Sequence, residues 1–236
     1  MVKIALFANG PVGVEVAKFL VKSGDVIEKL YLHEKEKQAN AQEIIKAAKI
    51  SRKKVFLAKD VLSKQNIAAF KKVNIDFIIT VYWAYLLKPI IYQQAKKGTL
   101  NFHPALLPIN RGWYPHVHSL IDGTPFGVTL HVLEETADTG PIWVQKQVFP
   151  EATDTAGDVY AKLQKEIIHL FKKNWLKIKN GEIKPIKQDE TKALYRKKLD
   201  IKALDKIDLE KTYKAKELIN ILRARSFNNK GFAYFL

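Results

Sequence analysis

The sequence predicts an α/β fold in which helices cover a largely parallel sheet, followed by a small carboxy-terminal appendage of one helix and short strands. Strand-like apolar runs alternate with helical patterns at short spacing through residues 2–103, which is typical of a parallel sheet. Residues 75–83 (IDFIITVYW) form a continuous apolar run, as expected for a strand that is covered on both faces. A hydrophobic fraction of 47% and an aromatic fraction of 11% are enough to fill a core.

The elements of the predicted sheet follow in order along the chain. Residues 2–8 (VKIALFA) are expected to form a buried strand, and NGPVG after them a turn that opens a helix ending at Gly24. The same alternation predicts strands at 27–33, 54–58, 75–83 and 99–103, and helices at 41–50, 66–73 and 88–98. The last of these helices has Pro89 near its start and Gly98 at its end. Pro is favoured in the first turn of a helix, and Gly is favoured at its end.

The pattern changes after residue 125. Residues 126–135 and 140–150 are two strand-like runs joined by TADT, so a hairpin or bend is expected. A long helix follows, capped by Asp154 or Thr155 and ended near Gly181.

The last part of the chain differs in composition from the sheet. A polar connector follows the long helix, then a helix around residues 215–224 (AKELINILRA), then an aromatic tail that resembles a strand. We therefore divide the chain into a core of residues 1–182 and a carboxy-terminal extension of residues 183–236.

Charge alone leaves two interpretations open. A net charge of +16 suits an anionic partner such as a nucleotide, a nucleic acid or a membrane surface. However, the basic residues are spread over the whole chain, and nearly all of them are Lys, whereas nucleic-acid surfaces use Arg more heavily. A compositional bias toward Lys is therefore favoured over a nucleic-acid face.

Cysteine content and hydropathy exclude several kinds of site and of protein. The chain has no Cys, which excludes disulfides, thiolate nucleophiles and Cys-ligated zinc. No apolar run approaches the roughly 18 to 20 residues that cross a bilayer, and the amino terminus lacks the layout of a signal peptide. We expect a cytoplasmic protein with no membrane partner.

The turn NGPVG carries a weak functional signal. It lies between a strand and a helix, where free backbone N–H groups often hold a phosphate, so Asn9 and Gly10 are candidate substrate contacts. Only Gly10 and Gly13 of the dinucleotide-binding glycines are present, and a plain tight turn explains the segment equally well.

The end of the strand at 99–103 carries a stronger signal. Asn101 and His103 are two residues apart, so both side chains point to one face of the strand, and Pro104 then stops the strand. Ligands of open α/β sheets bind beyond the carboxyl ends of the strands. An amide can donate to an oxyanion, and an imidazole can move a proton near neutral pH.

Two loops add to this strand end. Residues 105–115 form a loop with Pro and Gly residues, of the kind that shapes a binding pocket. Asp138 lies in the tight EETADTG loop, from which a carboxylate near His103 could orient the imidazole ring and stabilise its protonated form.

These three motifs together resemble the formyltransferase family that uses N10-formyltetrahydrofolate. Members share an Asn-x-His-Pro strand end, a Leu-Leu-Pro-x-x-[Arg/Lys]-Gly loop and a later Asp-x-Gly loop. The matching segments here are Asn101 to Pro104, Leu106 to Gly112, and Asp138 to Gly140. The resemblance extends from the first strand to about residue 180 and implies a Rossmann-like parallel-sheet core.

The resemblance also implies roles for particular residues. It makes Asn101, His103 and Asp138 the catalytic trio, with Asn101 and a His103 imidazolium holding the oxyanion while Asp138 takes the proton of the attacking nitrogen. It implies that folate is the co-substrate and that no metal is needed. The residues implied to bind the folate lie in two segments: Trp83, Ala84, Tyr85, Leu86 and Leu87, and Leu133, Glu135, Thr136 and Ala137.

The carboxy-terminal half indicates which formyltransferases this chain is most similar to. The segments RGWYP, GVTLH and the aromatic ending resemble nucleotide-sugar N-formyltransferases, in which the tail helps to form a homodimer. The implied acceptor is a dTDP-linked amino sugar, with dTDP-4-amino-4,6-dideoxyglucose for surface polysaccharide such as O-antigen as the first choice. Arg111 and Trp113 are then candidate sugar or diphosphate contacts. A 3-amino dTDP-sugar, glycinamide ribonucleotide and methionyl-tRNA remain alternative acceptors.

Parts of the sequence also fit two other functional classes and one other kind of site. NGPVG leaves a nucleotide-binding oxidoreductase open, and the charge leaves a nucleic-acid binder open, but neither explains the order and spacing of the trio. His116 and His118 could in principle start a zinc site, but they are expected beside the pocket instead. His131 is expected on a strand near the active face.

Overall fold

A computed structural model of the chain describes residues 1–236, and its helices and strands alternate as the sequence predicts. The strands are β1 Lys3–Ala8, β2 Val26–Leu32, β3 Val55–Leu57, β4 Phe77–Val81, β5 Gly98–His103, β6 Arg111–Gly112, β7 Phe126–His131, β8 Ile142–Val148, β9 Tyr195–Arg196, β10 Ser226–Phe227 and β11 Lys230–Gly231. The helices are α1 Gly10–Lys22, α2 Ala41–Ala48, α3 Lys64–Lys72, α4 Pro89–Tyr92, α5 Pro115–Asp122, α6 Ala156–Lys179 and α7 Ala215–Ala224. None of these helices has the length and apolar character needed to cross a membrane.

Seven strands form one mixed sheet in the order β3-β2-β1-β4-β5-β7-β8. The first five of them are parallel, whereas β7 runs antiparallel to β5, and β8 antiparallel to β7. The predicted α/β class and the predicted hairpin are therefore confirmed. Two small sheets, β6-β9 and β10-β11, complete the fold.

The sheet separates two hydrophobic clusters. The larger one packs α1 and α6 against side chains such as Ile79 of β4 and Phe102 of β5. The smaller one holds Phe7 and Ile78 on the opposite face, together with Phe70 of α3. Because both faces are covered, the central strands are apolar throughout, and polar side chains on them stand out.

Several predicted elements are shorter in the structure; the strands expected at 126–135 and 140–150, for example, are limited to β7 and β8. The helix expected at 88–98 is limited to α4, because the N–H groups of Lys96 and Lys97 donate to Ile75 O and Asp76 O and draw the chain into β5. The strand expected at 75–83 ends at Val81, because Tyr82 adopts a left-handed φ of 51° that breaks the extended backbone.

The segment after the long helix packs onto the core. Ile186 pairs with Ile142 at the start of β8, and β9 pairs with β6 beside the candidate site. Residues beyond 182 thus extend the sheets of the core. The proposed boundary between residues 182 and 183 stays a prediction.

The predicted appendage helix is confirmed as α7, which packs against α5. The aromatic tail forms the short strands β10 and β11 and then a single bridge between Tyr234 and Lys206, not one continuous strand. Asn228 and Asn229, both with φ above 50°, turn the chain between the two strands.

Asp25 fastens the end of α6 to the start of β1. Its buried carboxylate accepts from Val2 N–H at 3.1 Å, Trp175 Nε1–H at 2.7 Å and Lys179 Nζ at 3.0 Å. Asp25→Ala should lower the free energy of unfolding by about 3 to 5 kcal/mol, because it leaves a buried ammonium unpaired. Urea denaturation measures the change.

The control for this prediction is Glu15→Ala. Glu15 also pairs with two Lys side chains, but at the surface, so its loss should cost less than about 1 kcal/mol. Equal losses for the two variants would show that Asp25 contributes no more than a surface ion pair.

Candidate active site

Asn101, His103 and Asp138 meet at the carboxyl end of β5. Asn101 Nδ2 donates to Asp138 Oδ1 at 3.2 Å, and His103 Nδ1 lies 3.5 Å from the same oxygen. The other oxygen, Oδ2, accepts from the backbone N–H of Gly112 at 2.9 Å. The structure thus brings together the three residues that the motifs single out, although Asp138 is 37 positions from Asn101 along the chain.

The contacts of His103 define its proton-carrying atoms. Nε2 lies 3.1 Å from the carbonyl oxygen of Asn110, which can only accept, so Nε2 carries a hydrogen. Nδ1, next to Asp138, is then the atom that gains or loses a proton. Burial lowers the pKa of His103 below its ordinary 6.5, although the charge of Asp138 opposes that shift. The ring is therefore neutral at neutral pH, and an imidazolium forms only when a proton is delivered.

Asp138 is held ionised. Burial works to raise its pKa, but the neighbouring His103 and His131 and the N–H of Gly112 outweigh burial and keep the pKa below the usual value. The residue has a φ of 58°, a left-handed conformation that Asp and Asn tolerate better than most residues. The tight loop therefore delivers a carboxylate to the strand end.

Three further residues support the trio. His131, paired with Asn101 in the β5–β7 register, has Nδ1 2.7 Å from Val132 O and Nε2 2.9 Å from Asn101 Nδ2. Thr80 on β4 contacts Asn101 Oδ1 at 2.6 Å. Gln188 donates to the backbone oxygens of Asp138 and Gly140 and so braces the loop. The sequence placed His131 near the active face but gave no signal for Thr80 or Gln188.

A cavity of about 660 Å³ opens onto the trio. One part of its wall, here named the Trp83 lobe, consists of Trp83 to Leu87 and of Leu133, Glu134, Thr136 and Ala137. The other part, named the His116 lobe, is mostly aromatic and includes the appendage; its residues are Tyr82, Tyr114, His116, Tyr160, Ala224, Arg225, Phe227 and Phe232. Tyr82 and Trp83, adjacent in the chain, pack on the two different hydrophobic clusters and so belong to different lobes.

The predicted folate residues lie mostly in the Trp83 lobe. Trp83, Ala84, Tyr85, Leu86, Leu87, Leu133, Thr136 and Ala137 line the cavity, whereas Glu135 is exposed outside it and Glu134 takes its place. His33 Nε2 accepts from Ala84 N–H at 3.1 Å and holds this loop against the sheet. The indole N–H of Trp83 is buried without a hydrogen-bond partner, which leaves a donor for a ligand.

The predicted acceptor contacts are divided between several places. Trp113 lines the cavity and is 37% exposed. Asn9 and Gly10 line a smaller neighbouring cavity of about 360 Å³ that shares Tyr82, Tyr160 and Phe227 with the first. Arg111 lines neither cavity.

The Arg111 side chain instead forms hydrogen bonds with the segment that follows α6. Its guanidinium donates to both carboxylate oxygens of Glu190, at 2.7 and 2.9 Å, and to Gln188 Oε1 at 2.8 and 3.2 Å. Its side chain is 6% exposed. The structure therefore gives Arg111 a supporting position behind the Asp138 loop and not a place in the cavity wall.

The described residues contain no group of three or more His, Asp or Glu side chains that could hold a metal ion. His116 and His118 both lie on α5 and are buried. Burial lowers the pKa of His116 to about 3, and the charges of His118 and Arg225 act in the same direction. His116 is therefore an uncharged member of the cavity wall.

Several known proteins are similar to this chain. A dTDP-4-amino-4,6-dideoxyglucose formyltransferase of Mycobacterium bovis is 34% identical over 137 residues, and that match spans 58% of either chain, less than two thirds of the relative. A 4-N formyltransferase from Francisella tularensis superimposes with a TM-score of 0.82 at 27% identity, covering 99% of this chain and 92% of that one. A formyltransferase from Anoxybacillus kamchatkensis, in complex with UDP-4,6-dideoxy-4-formamido-L-AltNAc and tetrahydrofolate, has a TM-score of 0.64 at 28% identity and covers 85% of this chain and 88% of that one.

Two family models match the sequence itself. One, described as formyl transferase, matches residues 18–173, which is more than half of the chain and includes all three residues of the trio. The other, described as the N-formyltransferase dimerization C-terminal domain, matches residues 200–236. The match agrees with the geometry at the end of β5, and the chain belongs to the formyl transferase family.

Proposed function

We propose that this protein transfers the formyl group of N10-formyltetrahydrofolate to the amino group of a nucleotide-linked amino-dideoxy sugar. The observation that carries the proposal is the convergence of Asn101, His103 and Asp138 on one cavity with two chemically different lobes. Such an arrangement suits a transfer between two substrates, because the acceptor in one lobe can reach the formyl carbon of the donor in the other lobe.

The Trp83 lobe suits the folate. It combines aromatic and apolar walls, formed by residues of two loops, with the unpaired indole N–H of Trp83. A flat heterocycle binds well in such a site, where apolar walls supply contact area and a few polar groups fix the orientation. The related enzyme from Anoxybacillus kamchatkensis has tetrahydrofolate bound.

The trio suits attack on the formyl carbon by an uncharged amine. As the tetrahedral centre forms, one N–H of Asn101 Nδ2 exchanges its present contact with Asp138 Oδ1 or His131 Nε2 for the developing oxyanion. His103 is neutral when the reaction begins. The negative charge of the developing oxyanion favours proton uptake at His103 Nδ1. The imidazolium that stabilises the oxyanion therefore forms together with the transition state. The amine loses one proton, for which Asp138 Oδ1 and His103 Nδ1 are the nearest acceptors. N10 of the folate leaves with the electron pair of its bond to the formyl carbon and takes up the proton that the amine released.

The acceptor is proposed to be a dTDP-linked amino sugar, with dTDP-4-amino-4,6-dideoxyglucose as first candidate. The similarity to the mycobacterial enzyme supports this choice, and so does the match of residues 200–236 to a domain described for N-formyltransferases. A product destined for surface polysaccharide would follow from that acceptor.

The direct test is a formyl-transfer assay with N10-formyltetrahydrofolate and a panel of acceptors. The panel contains 4-amino and 3-amino dTDP-sugars, glycinamide ribonucleotide and methionyl-tRNA. We expect kcat/KM for one dTDP-amino sugar to exceed that for the ribonucleotide and the tRNA by roughly 10⁴-fold, because a site built for the polar groups of one substrate strongly rejects acceptors that lack them. Preferential use of either of the last two would refute the sugar as acceptor while retaining formyl transfer.

We further propose that the protein is a homodimer joined through the appendage. Ile219 and Leu222, one turn apart on α7, are 53% and 48% exposed, and the tail adds exposed Phe235 and Leu236. Exposed large apolar side chains grouped in one appendage are typical of an interaction surface.

A double variant, Ile219→Glu with Leu222→Glu, should convert the dimer to a monomer in light scattering, because carboxylates in an apolar interface cannot keep their hydration. Leu176→Glu on α6 is the matched control, since Leu176 is 60% exposed but lies outside the appendage. The control should remain dimeric, and a double variant that also stays dimeric would place the interface elsewhere.

A further inference from the structure

Arg225, directly after α7, is the one Arg or Lys side chain that lines the large cavity. It is 7% exposed, although it belongs to the appendage. Its Nε donates to Asp205 Oδ1 at 2.5 Å, and the guanidinium lies 5.0 Å from the centre of the Phe232 ring. Neither Nη atom donates to any oxygen of the protein. Arg225 therefore brings unused N–H donors to the cavity wall.

The other arginines around the site differ in this respect. Arg111 uses its whole guanidinium on Glu190 and Gln188. Arg196 donates to Asn110 Oδ1 and Asp122, and Arg223 donates through Nε and both Nη atoms to Asp154 O, Asn220 Oδ1 and Glu151 O. The donors of Arg111 and Arg223 are thus satisfied within the fold, and Arg196 lines neither cavity, so Arg225 is the arginine that has free donors at the cavity wall.

The surroundings of Arg225 leave polar atoms for a ligand as well. His116 Nδ1 and Tyr82 Oη in the same lobe are buried without hydrogen-bond partners. Buried polar atoms are nearly always paired in the functional state, so two unpaired ones on one cavity wall indicate a polar ligand. Tyr160 and Phe227 between them supply aromatic surface, with the Tyr160 ring 5.0 Å from His116 and 5.7 Å from Phe227.

We infer that Arg225 is the anion-binding residue of the His116 lobe and that it holds the diphosphate of the acceptor. The inference rests on the proposed function for the identity of the acceptor. A guanidinium fixed at Nε presents its two Nη atoms side by side, which matches two phosphate oxygens. Asp205 sets that orientation, and the aromatic wall excludes water and so strengthens the charge interaction. The appendage is then part of the acceptor site as well as an assembly element.

The test is calorimetric titration of the full-length protein with dTDP and, separately, with tetrahydrofolate. The main variant is Arg225→Met combined with Asp205→Asn, because the second substitution avoids leaving the half-buried Asp205 carboxylate without its partner. We expect its Kd for dTDP to rise about 10- to 100-fold, as for a lost charge-assisted hydrogen-bond pair, while the Kd for tetrahydrofolate stays unchanged.

Two further variants keep the result interpretable. Arg52→Met removes the same charge from an exposed position on the far part of the sheet and should leave both Kd values unchanged. Arg225→Lys keeps the charge and the buried volume but loses the paired Nη geometry, so its dTDP affinity should fall between those of wild type and the double variant. If thermal melting shows that the double variant is unfolded, the dTDP affinity of Arg225→Lys tests the role of Arg225 instead.

The outcomes separate this inference from the proposed function. A Kd for dTDP that is unchanged in the Arg225 variants, or equally weakened in Arg52→Met, would overturn the role of Arg225 whatever the enzyme formylates. Loss of dTDP binding in the Arg225 variants would support the role even if no amino sugar in the panel were formylated. Failure of the wild-type protein to bind dTDP would also overturn the inference.

Discussion

Asp138→Asn is expected to lower kcat by roughly 10²- to 10⁴-fold, the contribution of a positioned acid or base group. Asn has the shape of Asp and tolerates the left-handed φ of 58° at this position, so the loop should keep its conformation. Its oxygen can still accept from Gly112 N–H. What is lost is the negative charge beside His103 and the ability to receive a proton.

A second measurement on the same variant tests the electrostatic part of the role. In the structure Asp138 opposes the effect of burial on His103. Removing its charge should therefore lower the pKa of His103 further, as followed by NMR titration of the imidazole. Asp189→Asn, which neutralises an exposed carboxylate outside the cavity, should leave the His103 titration and kcat unchanged.

The alternative explanation makes a different forecast for Asp138→Asn. If Asp138 only closes the loop by accepting from backbone and side-chain donors, Asn serves nearly as well, and only thermal stability changes. A fully active variant would therefore remove Asp138 from the catalytic set. The binding of dTDP and tetrahydrofolate, which we expect to change by no more than a few-fold, confirms that both lobes remain formed.

Asn101→Ala is expected to lower kcat by roughly 10²- to 10³-fold, because it removes one oxyanion donor. Asn101 Nδ2 already points at the reacting region through its contacts with Asp138 Oδ1 and His131 Nε2. Thr80 can retain its hydrogen bond to Leu100 O when Asn101 Oδ1 is lost, so the sheet should tolerate the change. The measurement is steady-state turnover together with the Kd of each substrate.

The control for Asn101→Ala is Asn174→Ala on α6. Asn174 donates only to Leu170 O, one turn earlier on its own helix, and it does not line the cavity. That variant should retain wild-type turnover. Near wild-type turnover of Asn101→Ala itself would contradict the oxyanion role, and a rise in KM without a change in kcat would indicate ground-state binding only.

The architecture could be predicted from the sequence, and so could the grouping of Asn101, His103 and Asp138. Apolar runs of strand length alternating with amphipathic runs identify a parallel sheet, because burial on two faces leaves a local pattern. Asn101 and His103 share a face by their spacing, and Asp138 joined them through the order of motifs that a known family shares. These features depend on neighbours within a few residues or on a recognisable motif.

The arginine that faces the cavity could be identified only from the packing of distant elements. Arg111 lies in the recognised loop, but its guanidinium is taken by Glu190, 79 positions later. Arg225 lies in an appendage that the sequence assigned to assembly, yet the packing of α7 against α5 brings it to the cavity. The small length of α4 also depends on residues distant in the chain, since backbone hydrogen bonds to Ile75 and Asp76 prevent the helix from continuing. Partners so distant in the chain leave no local pattern, and their pairing is settled only when the elements pack.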